Sequence, residues 1–333
     1  MEIDNKSKKP LNLELSNIIA NDSLIDQFLD NTFIIFKSKD KILYLIYSSY
    51  NQSIISYNLN SFSVISQIKN AHKKAIINFR YHYYQEEKKD LVMSISFDNN
   101  IKIWNISRWE CIVNLKNINN SGGILSGCFL HEKNNLYIIT SCIYNSEQIK
   151  IYNLKGNKLK DINESNENTY FIDTYYDKNQ LKLYIIGGHF NCIKSYDYSS
   201  NKLYKKYNES YSNEHCSVII FQNNDNILLI DSCCGKDRNI RIWNFHSAIL
   251  IHKIFINSIP MGLCLLNKQY LFVGCMDKSI KLIDISEKSE IKKFTGHKRW
   301  ICTIKMFEHQ RLGKCLISQG RRNDNLIIWA IKD

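Results

Sequence analysis

NNIKIWN (99–105), EQIKIYN (147–153) and RNIRIWN (238–244) are close copies of one phrase. Degraded copies follow the same pattern: NQSIISYN (51–58), NCIKSYD (191–197), DKSIKLID (277–284) and NDNLIIWA (323–330). The aromatic position recurs at Tyr57, Trp104, Tyr152, Tyr196, Trp243, Ile283 and Trp329. The intervals are therefore 47, 48, 44, 47, 40 and 46 residues. A short strand repeated with a period of roughly 40 to 50 residues indicates the blades of a propeller.

Each repeat contains short apolar runs separated by turn residues, which is the pattern of consecutive strands. In the second repeat four such runs cover residues 75–84, 90–97, 100–107 and 110–116. The chain has 333 residues, and a ring of repeats can remain one domain because each unit packs only on its neighbours. We therefore predict an all-β, seven-bladed β-propeller; repeats one, three and four are assigned by periodicity alone, which leaves a count of six or eight blades as the alternative.

The seventh repeat contains only three strand-like runs before Asp333, so its blade needs an outer strand from elsewhere. An open blade would expose bare strand edges, which invite aggregation. Residues 11–20 (LNLELSNIIA) and 23–30 (SLIDQFLD) can each supply that strand. We favour residues 23–30 because of their distance to the next strand. Residues 1–22 would then be a flexible tail, and 23–333 a single propeller.

The chain is basic, with 44 Lys and Arg against 32 Asp and Glu, a formal net charge of +12. This charge suits a nucleic-acid or acidic-membrane partner, but the lysines are spread along the chain as in solvated loops. The 11 cysteines form no C-x-x-C pair, so we expect no metal and no other cofactor. Strand-borne cysteines and the lack of a secretory h-region favour the cytoplasm or the nucleus. No apolar run reaches the ~20 residues of a membrane helix.

The repeated phrase resembles that of the WD-repeat family of propellers, over nearly the whole chain. That family's fingerprint is a Gly-His pair, a Ser-x-Ser-x-Asp segment and an aliphatic strand ending in Trp-Asp. The second repeat is the most similar, with AH (71–72), SISFD (94–98) and IKIWN (101–105). The resemblance implies structural hydrogen-bonded tetrads in three repeats. They are His72, Ser94, Asp98 and Trp104; His215, Ser232, Asp237 and Trp243; and His297, Ser318, Asp324 and Trp329.

A set of Asp, His and Ser also suggests a hydrolytic triad, with Ser94 as its nucleophile. Ser94 is expected inside a strand between blades, however, with no Gly-rich elbow beside it. The chain also has no phosphate-cradling Gly loop and no metal-ligand spacing. We therefore interpret the tetrads as structural and expect no enzymatic activity.

The resemblance implies a partner-binding face, because in this family the loops between blades and the turns before the third strand emerge together. The residue seven before each aromatic marks that turn, and three of the seven such residues are Tyr, Phe and Met. Trp300 of GHKRWI (296–301) stands beside Lys298 and Arg299, and aromatic residues and Arg are enriched at interface cores. Trp300 can alternatively cap the edge of the core. The expected partner-binding residues are Tyr50, Phe97, His189, Lys236, Met276, Trp300 and Arg322.

A basic residue recurs two positions before the aromatic, at Lys102, Lys150, Lys194, Arg241 and Lys281. These residues could form a basic ring that attracts an anion near the central channel. Alternatively, their stems pack between blades and their charged ends reach the loops. We favour the second interpretation.

Together these features predict a non-enzymatic scaffold that binds a peptide or helix of other proteins within a multiprotein complex. The alternative is a propeller subunit of an RNA-containing assembly that uses the positive charge. Phosphoinositide binding is not favoured, because the Arg pair stands in QGRRND (319–324) and not in a Phe/Leu-Arg-Arg-Gly loop.

Overall fold

The computed structural model describes residues 11–19, 32–49, 51–116, 123–142, 149–162, 168–209, 215–223, 225–233, 237–321 and 324–332. In these ranges the chain forms 28 strands, arranged in seven four-stranded antiparallel sheets. Each sheet is one blade, with strands a to d paired in order, and the a strands of neighbouring blades contact one another around the centre. The prediction of an all-β, seven-bladed propeller is confirmed.

The first four blades follow the chain in order. Blade 1 consists of β2 (Phe33–Lys37), β3 (Leu43–Ser48), β4 (Ile54–Asn58) and β5 (Ser63–Ile68). Blade 2 consists of β6 (Ile76–Tyr84), β7 (Lys89–Ser96), β8 (Ile101–Asn105) and β9 (Glu110–Leu115). Blade 3 consists of β10 (Ile124–Glu132), β11 (Asn135–Cys142), β12 (Ile149–Asn153) and β13 (Lys158–Ile162). Blade 4 consists of β14 (Thr169–Asp177), β15 (Lys182–His189), β16 (Cys192–Asp197) and β17 (Lys202–Asn208).

The last three blades complete the ring. Blade 5 consists of β18 (His215–Asn223), β19 (Asn226–Cys233), β20 (Asn239–Asn244) and β21 (Leu250–Phe255). Blade 6 consists of β22 (Pro260–Leu265), β23 (Tyr270–Cys275), β24 (Ser279–Asp284) and β25 (Ser289–Thr295). Blade 7 consists of β26 (Ile301–His309), β27 (Gly313–Gly320), β28 (Leu326–Lys332) and β1 (Asn12–Ile19), the N-terminal strand.

The N-terminal strand closes the ring, as expected, but it is not the segment that the spacing favoured. β1 pairs antiparallel with β28 from Asn12↔Lys332 to Ile19↔Leu326, so residues 12–19 are a strand and not a flexible tail. A closing strand at 23–30 would leave residues 31–32 to cross the whole blade to Phe33. Four strands span about 14 Å at ~4.8 Å per strand, and two linking residues are too short for that. Residues 23–30 themselves lie outside the described part of the chain.

The core of the protein lies between blades. Seven apolar clusters each combine residues of two neighbouring blades, and together they pass once around the ring. At the boundary of blades 7 and 1, for example, Ile19 of the closing strand packs in one cluster with Phe33 and Ile317. Apolar side chains on both faces of each blade are therefore buried, which explains the near-continuous apolar runs of the inner strands.

The alternating strand directions divide the turns between two faces of the ring. The a–b and c–d turns lie on one side, which we call the hairpin face. The b–c turns and the connections between blades lie on the other side, which we call the loop face. Loops on a rigid scaffold are the usual carriers of function, so each face can carry a binding site.

Candidate functional site

Blade 2 brings its four tetrad residues into one hydrogen-bonded chain. His72 Nδ1 lies 3.1 Å from Asp98 Oδ2, and His72 Nε2 lies 2.8 Å from Ser94 Oγ. Trp104 Nε1 donates to the same hydroxyl oxygen at 2.9 Å. Because the carboxylate accepts a hydrogen bond from Nδ1–H, Nε2 accepts one from the Ser94 hydroxyl, and the imidazole, hydroxyl and indole groups of these residues all have partners.

The carboxylate of this tetrad also fixes the loop that enters the blade. Asp98 Oδ2 accepts a hydrogen bond from the backbone N–H of Lys73 at 2.8 Å. Burial alone would raise the pKa of Asp98, but the hydrogen bonds from His72 and Lys73 outweigh it and lower that pKa below its ordinary value. The carboxylate is therefore charged at neutral pH and holds the loop.

Blade 7 repeats this arrangement. His297 Nδ1 lies 3.0 Å from Asp324 Oδ2, and His297 Nε2 lies 2.7 Å from Ser318 Oγ. Trp329 Nε1 donates to Ser318 Oγ at 2.8 Å. Burial would raise the pKa of Asp324, but the hydrogen bond from His297 and further donors lower it. Two of the three predicted sets are thus brought together as four-residue chains.

Blade 5 uses a different residue from the one expected. Trp243 Nε1 donates to Asp231 Oδ1 at 2.6 Å, whereas the Ser232 hydroxyl donates to the backbone oxygen of Met261 at 2.7 Å. The prediction of Ser232 was wrong because the turn before the third strand is longer in blade 5 than in blade 2. Counting back from Trp243 by the spacing of blade 2 therefore ends on a different residue of the second strand. Asp231 pairs with Arg241, two residues before the Trp, as Ser94 pairs with Lys102 in blade 2. Strand side chains alternate between faces, so Ser232 points to the other neighbour.

Asp237 does not join a tetrad with Trp243. Its carboxylate instead contacts Arg241, which also contacts Glu209 Oε2 at 2.8 Å and Asp231 Oδ2 at 3.3 Å. The Arg241 side chain is only 3% exposed. Blade 5 therefore contains a buried ionic cluster, whereas blades 2 and 7 contain a hydrogen-bonded His-Ser-Asp-Trp tetrad. The side chain of His215, the third expected member, lies outside the described residues.

His189 is not on the surface, although the spacing placed it among the partner-binding residues. It is fully buried, with Nδ1 at 3.3 Å from Thr169 Oγ1 and Nε2 at 3.4 Å from the Tyr196 hydroxyl. Strand β15 runs through His189, and only residues 190–191 form the turn to the next strand. The exposed aromatic residue of this turn is Phe190. Counting back six residues from Tyr196 instead of seven, to allow for the short turn, would have identified it.

The remaining candidates on the loop face differ in their accessibility. Phe97 is half-buried and packs against the apolar cluster between blades 2 and 3. Met276 is half-buried at the turn of blade 6, where its N–H donates to the backbone oxygen of Ile259. Three further expected residues, Tyr50, Lys236 and Arg322, lie outside the described residues.

Trp300 is the centre of a cationic surface on the loop face. The guanidinium of Arg321 lies 4.9 Å from the Trp300 ring centre, in cation–π geometry. The Arg321 N–H also donates to the Trp300 backbone oxygen at 2.7 Å, and Lys298 and Arg299 are exposed beside them. Within the described ranges, none of the apolar clusters of the ring includes Trp300, and its ring is in contact with this arginine.

The tetrad of blade 7 holds this surface in place. Asp324 Oδ2 accepts hydrogen bonds from the backbone N–H groups of Lys298 at 3.1 Å and Arg299 at 2.9 Å. The same oxygen binds His297, so the loop that leads to Trp300 is tied to the buried chain of hydrogen bonds. A loop fixed in this way loses little conformational entropy when a partner binds.

Four of the five recurrent basic residues are buried between blades, and Lys102 is half-buried. Lys150, Lys194, Arg241 and Lys281 are each at most 8% exposed. Lys102 Nζ donates to the Ala71 backbone oxygen at 2.6 Å, and Lys281 Nζ donates to Glu290 Oε2 at 2.6 Å. These charges are therefore satisfied inside the protein, which agrees with the packing interpretation and not with a ring open to an anion.

No protein-family model matches this chain, and no curated protein matches it. Among the residues that the structure describes, no group of three or more His, Cys, Asp and Glu side chains is arranged to hold a metal ion. The described part of the chain also has no helix with the length and apolarity needed to cross a membrane.

Proposed function

We propose that this protein is a non-enzymatic interaction scaffold of the WD-repeat type. It binds a peptide or a protein segment on the loop face, within a multiprotein complex. The seven-bladed ring and the two His-Ser-Asp-Trp chains support the family assignment. Propellers host many functions, so the site must carry the argument.

The observation that carries the proposal is the Trp300 surface. An indole stacked by Arg321 and flanked by exposed Lys298 and Arg299 has the composition of an interface hot spot. The indole supplies a large apolar contact at low entropic cost, and the three cations supply charge-assisted donors. The loop is held by Asp324 before any partner arrives.

The non-enzymatic part of the proposal is supported by the burial of the serines in the two tetrads. Ser94 and Ser318 are fully buried, and each hydroxyl oxygen already accepts the indole N–H of a tryptophan. A substrate carbonyl would have to reach these oxygens through the boundary between two packed blades. A cytoplasmic or nuclear location agrees with the eight described cysteines, all of which lie in strands.

An RNA-containing assembly is the second candidate partner. The net charge of +12 favours it, and an indole beside cations can also stack a nucleic-acid base. Binding to RNA would weaken steeply with salt, and the protein would be retained on heparin. Lack of heparin retention would remove this candidate.

The proposal is tested by substituting Trp300→Ala and purifying the tagged full chain from its source cells. We expect loss of the proteins that co-purify with the wild type, since a hot-spot residue contributes about 2 kcal/mol or more, roughly 30-fold in affinity. Trp109→Ala is the matched control, because Trp109 lies in the c–d turn of blade 2 on the hairpin face. Circular dichroism checks that both variants are folded. If the same proteins co-purify with Trp300→Ala, the proposed site is wrong.

A further inference from the structure

A second open surface lies on the hairpin face, opposite the Trp300 surface, at the boundary of blades 3 and 4. It is a groove of about 630 Å³ that the a–b turns of both blades and the c–d turn of blade 4 enclose. Tyr176 and Leu181 lie in its wall with 50% and 75% of their surfaces exposed. Exposed large apolar residues that adjoin in one concavity are a mark of binding sites.

Leu181 departs from the pattern of its own fold. The equivalent a–b turn position is Lys41 in blade 1, Lys88 in blade 2 and Lys133 in blade 3, each with a positive φ. Leu181 has the same left-handed backbone, with a φ of 53°, but it carries an exposed aliphatic side chain. Neither the strained backbone nor the exposure helps the ring to fold, and lysine occupies this turn position in blades 1 to 3.

The turn that presents Leu181 is rigidly held. Asp177 Oδ1 accepts hydrogen bonds from the backbone N–H groups of Asn179 at 2.8 Å and Gln180 at 3.3 Å. The Tyr184 hydroxyl donates to Gln180 Oε1 at 3.0 Å, which ties the turn to a buried tyrosine of the same blade. The apolar side chain is therefore offered from a fixed position, so little entropy is lost when it is covered.

Glu132 lines the groove and Asp197 precedes its lining residue Tyr198, and both carboxylates are already engaged. Glu132 Oε2 accepts the Tyr198 hydroxyl at 3.0 Å, and Asp197 accepts Ser199 Oγ at 2.6 Å while Lys182 lies 3.7 Å away. Burial would raise the pKa of Asp197, but the hydrogen bonds from Ser199 and Ser200 lower it, so this carboxylate is charged and compensated.

The cations of the groove are in excess. Lys160 lies over the Tyr198 ring at 3.7 Å. Lys133 lines the groove, and Lys178 stands in the a–b turn of blade 4 that borders it; within the described ranges both are exposed and neither has an acidic partner. The free charge at the rim is therefore positive, and an acidic ligand complements it.

We propose that this groove docks a short segment of a partner protein in which one large apolar side chain is flanked by carboxylates. The apolar side chain packs between Leu181 and Tyr176, and the carboxylates pair with Lys133 and Lys178. This inference does not depend on the proposed function, because the groove and the Trp300 surface lie on opposite faces.

The test is selection of a random-peptide phage library on the immobilised full chain, followed by fluorescence polarisation of the selected peptides. Leu181→Lys is the test variant, since it restores the residue that the sister turns carry and should leave the fold unchanged. Lys41→Leu is the matched control, because it makes the reverse exchange at the equivalent turn of blade 1. Lys133→Glu reverses the charge at the rim. Trp300→Ala controls for the other face.

We expect peptides with an apolar residue between Asp or Glu residues, bound equally by the wild type, Lys41→Leu and Trp300→Ala. Leu181→Lys should weaken them at least about tenfold, and Lys133→Glu should weaken them by a smaller factor at low salt. The proposal is overturned if no peptide is enriched, if the peptides lack acidic residues, or if Leu181→Lys binds them equally well. It is also overturned if light scattering shows a wild-type dimer that Leu181→Lys abolishes, since the occupant would then be a second copy of the chain.

Discussion

Blades 2 and 5 solve the same packing problem with different chemistry. In both, a buried tryptophan of the third strand needs an acceptor for its indole N–H. In blade 2 the acceptor is the hydroxyl of Ser94, and a histidine continues the chain to a carboxylate. In blade 5 the acceptor is the carboxylate of Asp231, and Arg241 neutralises it.

The difference shows what each solution demands of the rest of the blade. A hydroxyl and an imidazole leave only one carboxylate charge, on Asp98, and that charge sits at the loop end of the hydrogen-bonded chain, where the backbone N–H of Lys73 also binds it. A carboxylate in the middle of the blade is fully buried and must be paired, so blade 5 also needs Arg241, Glu209 and Asp237. Arginine fits this role because its planar group donates to several carboxylates at once. Blade 5 should therefore be the less tolerant of single substitutions.

The largest expected effect is at Arg241. Arg241→Met leaves Asp231 buried and without its cation, so we expect a loss of about 3–5 kcal/mol in the free energy of unfolding. Urea unfolding followed by circular dichroism measures it. The double variant Arg241→Lys, Asp231→Ser gives blade 5 the two residue types of blade 2 and should recover most of that loss. If the single variant is as stable as the wild type, the ionic cluster is not what holds this blade together.

A smaller loss is expected at Ser94. Ser94→Ala removes the acceptor of the Trp104 N–H and the partner of His72, and each buried group left without a partner is costly, so we expect about 2 kcal/mol. Ser232→Ala is the matched control in blade 5, because that hydroxyl serves one backbone oxygen and not the tryptophan, and we expect about 1 kcal/mol. Equal losses for the two serines in thermal unfolding would argue against the register assigned to Asp231.

The smallest effect is a pH dependence in blade 2. The pKa of Asp98 is lower in the folded protein than its unfolded value of about 3.9, so its stabilisation is complete above that value and is lost as the pH falls below it. Asp98→Asn should cost about 1 kcal/mol at neutral pH, as one charge-assisted hydrogen bond is replaced by a neutral one. It should also make the decline in melting temperature between about pH 4 and pH 2 shallower. An unchanged acid slope would mean that other carboxylates dominate.

Some residues could be predicted from the sequence because their spacing is local. The tetrads of blades 2 and 7 were found from short motifs, and the structure places all eight residues in contact. The predictions for Ser232 and His189 failed for one common reason, which is that the turn before the third strand varies in length between blades. A count that is wrong by one residue selects a side chain on the opposite face of a strand. The groove at Leu181 could not be predicted from the repeated phrase, because turns of two different blades enclose it.

By itself, the sequence determined the order of the blades along the chain and the position of each third strand, and it favoured a count of seven blades. The reason is that the pattern of apolar and turn residues that defines a strand is contained in a few consecutive residues, so each repeat can be recognised locally. Only the tertiary structure decided which N-terminal segment closes the ring, which acid receives the Trp243 indole and which cations are buried. Each of those outcomes depends on pairing between distant strands or on packing between blades. Such contacts are set by the geometry of the closed ring and leave no local trace in the chain.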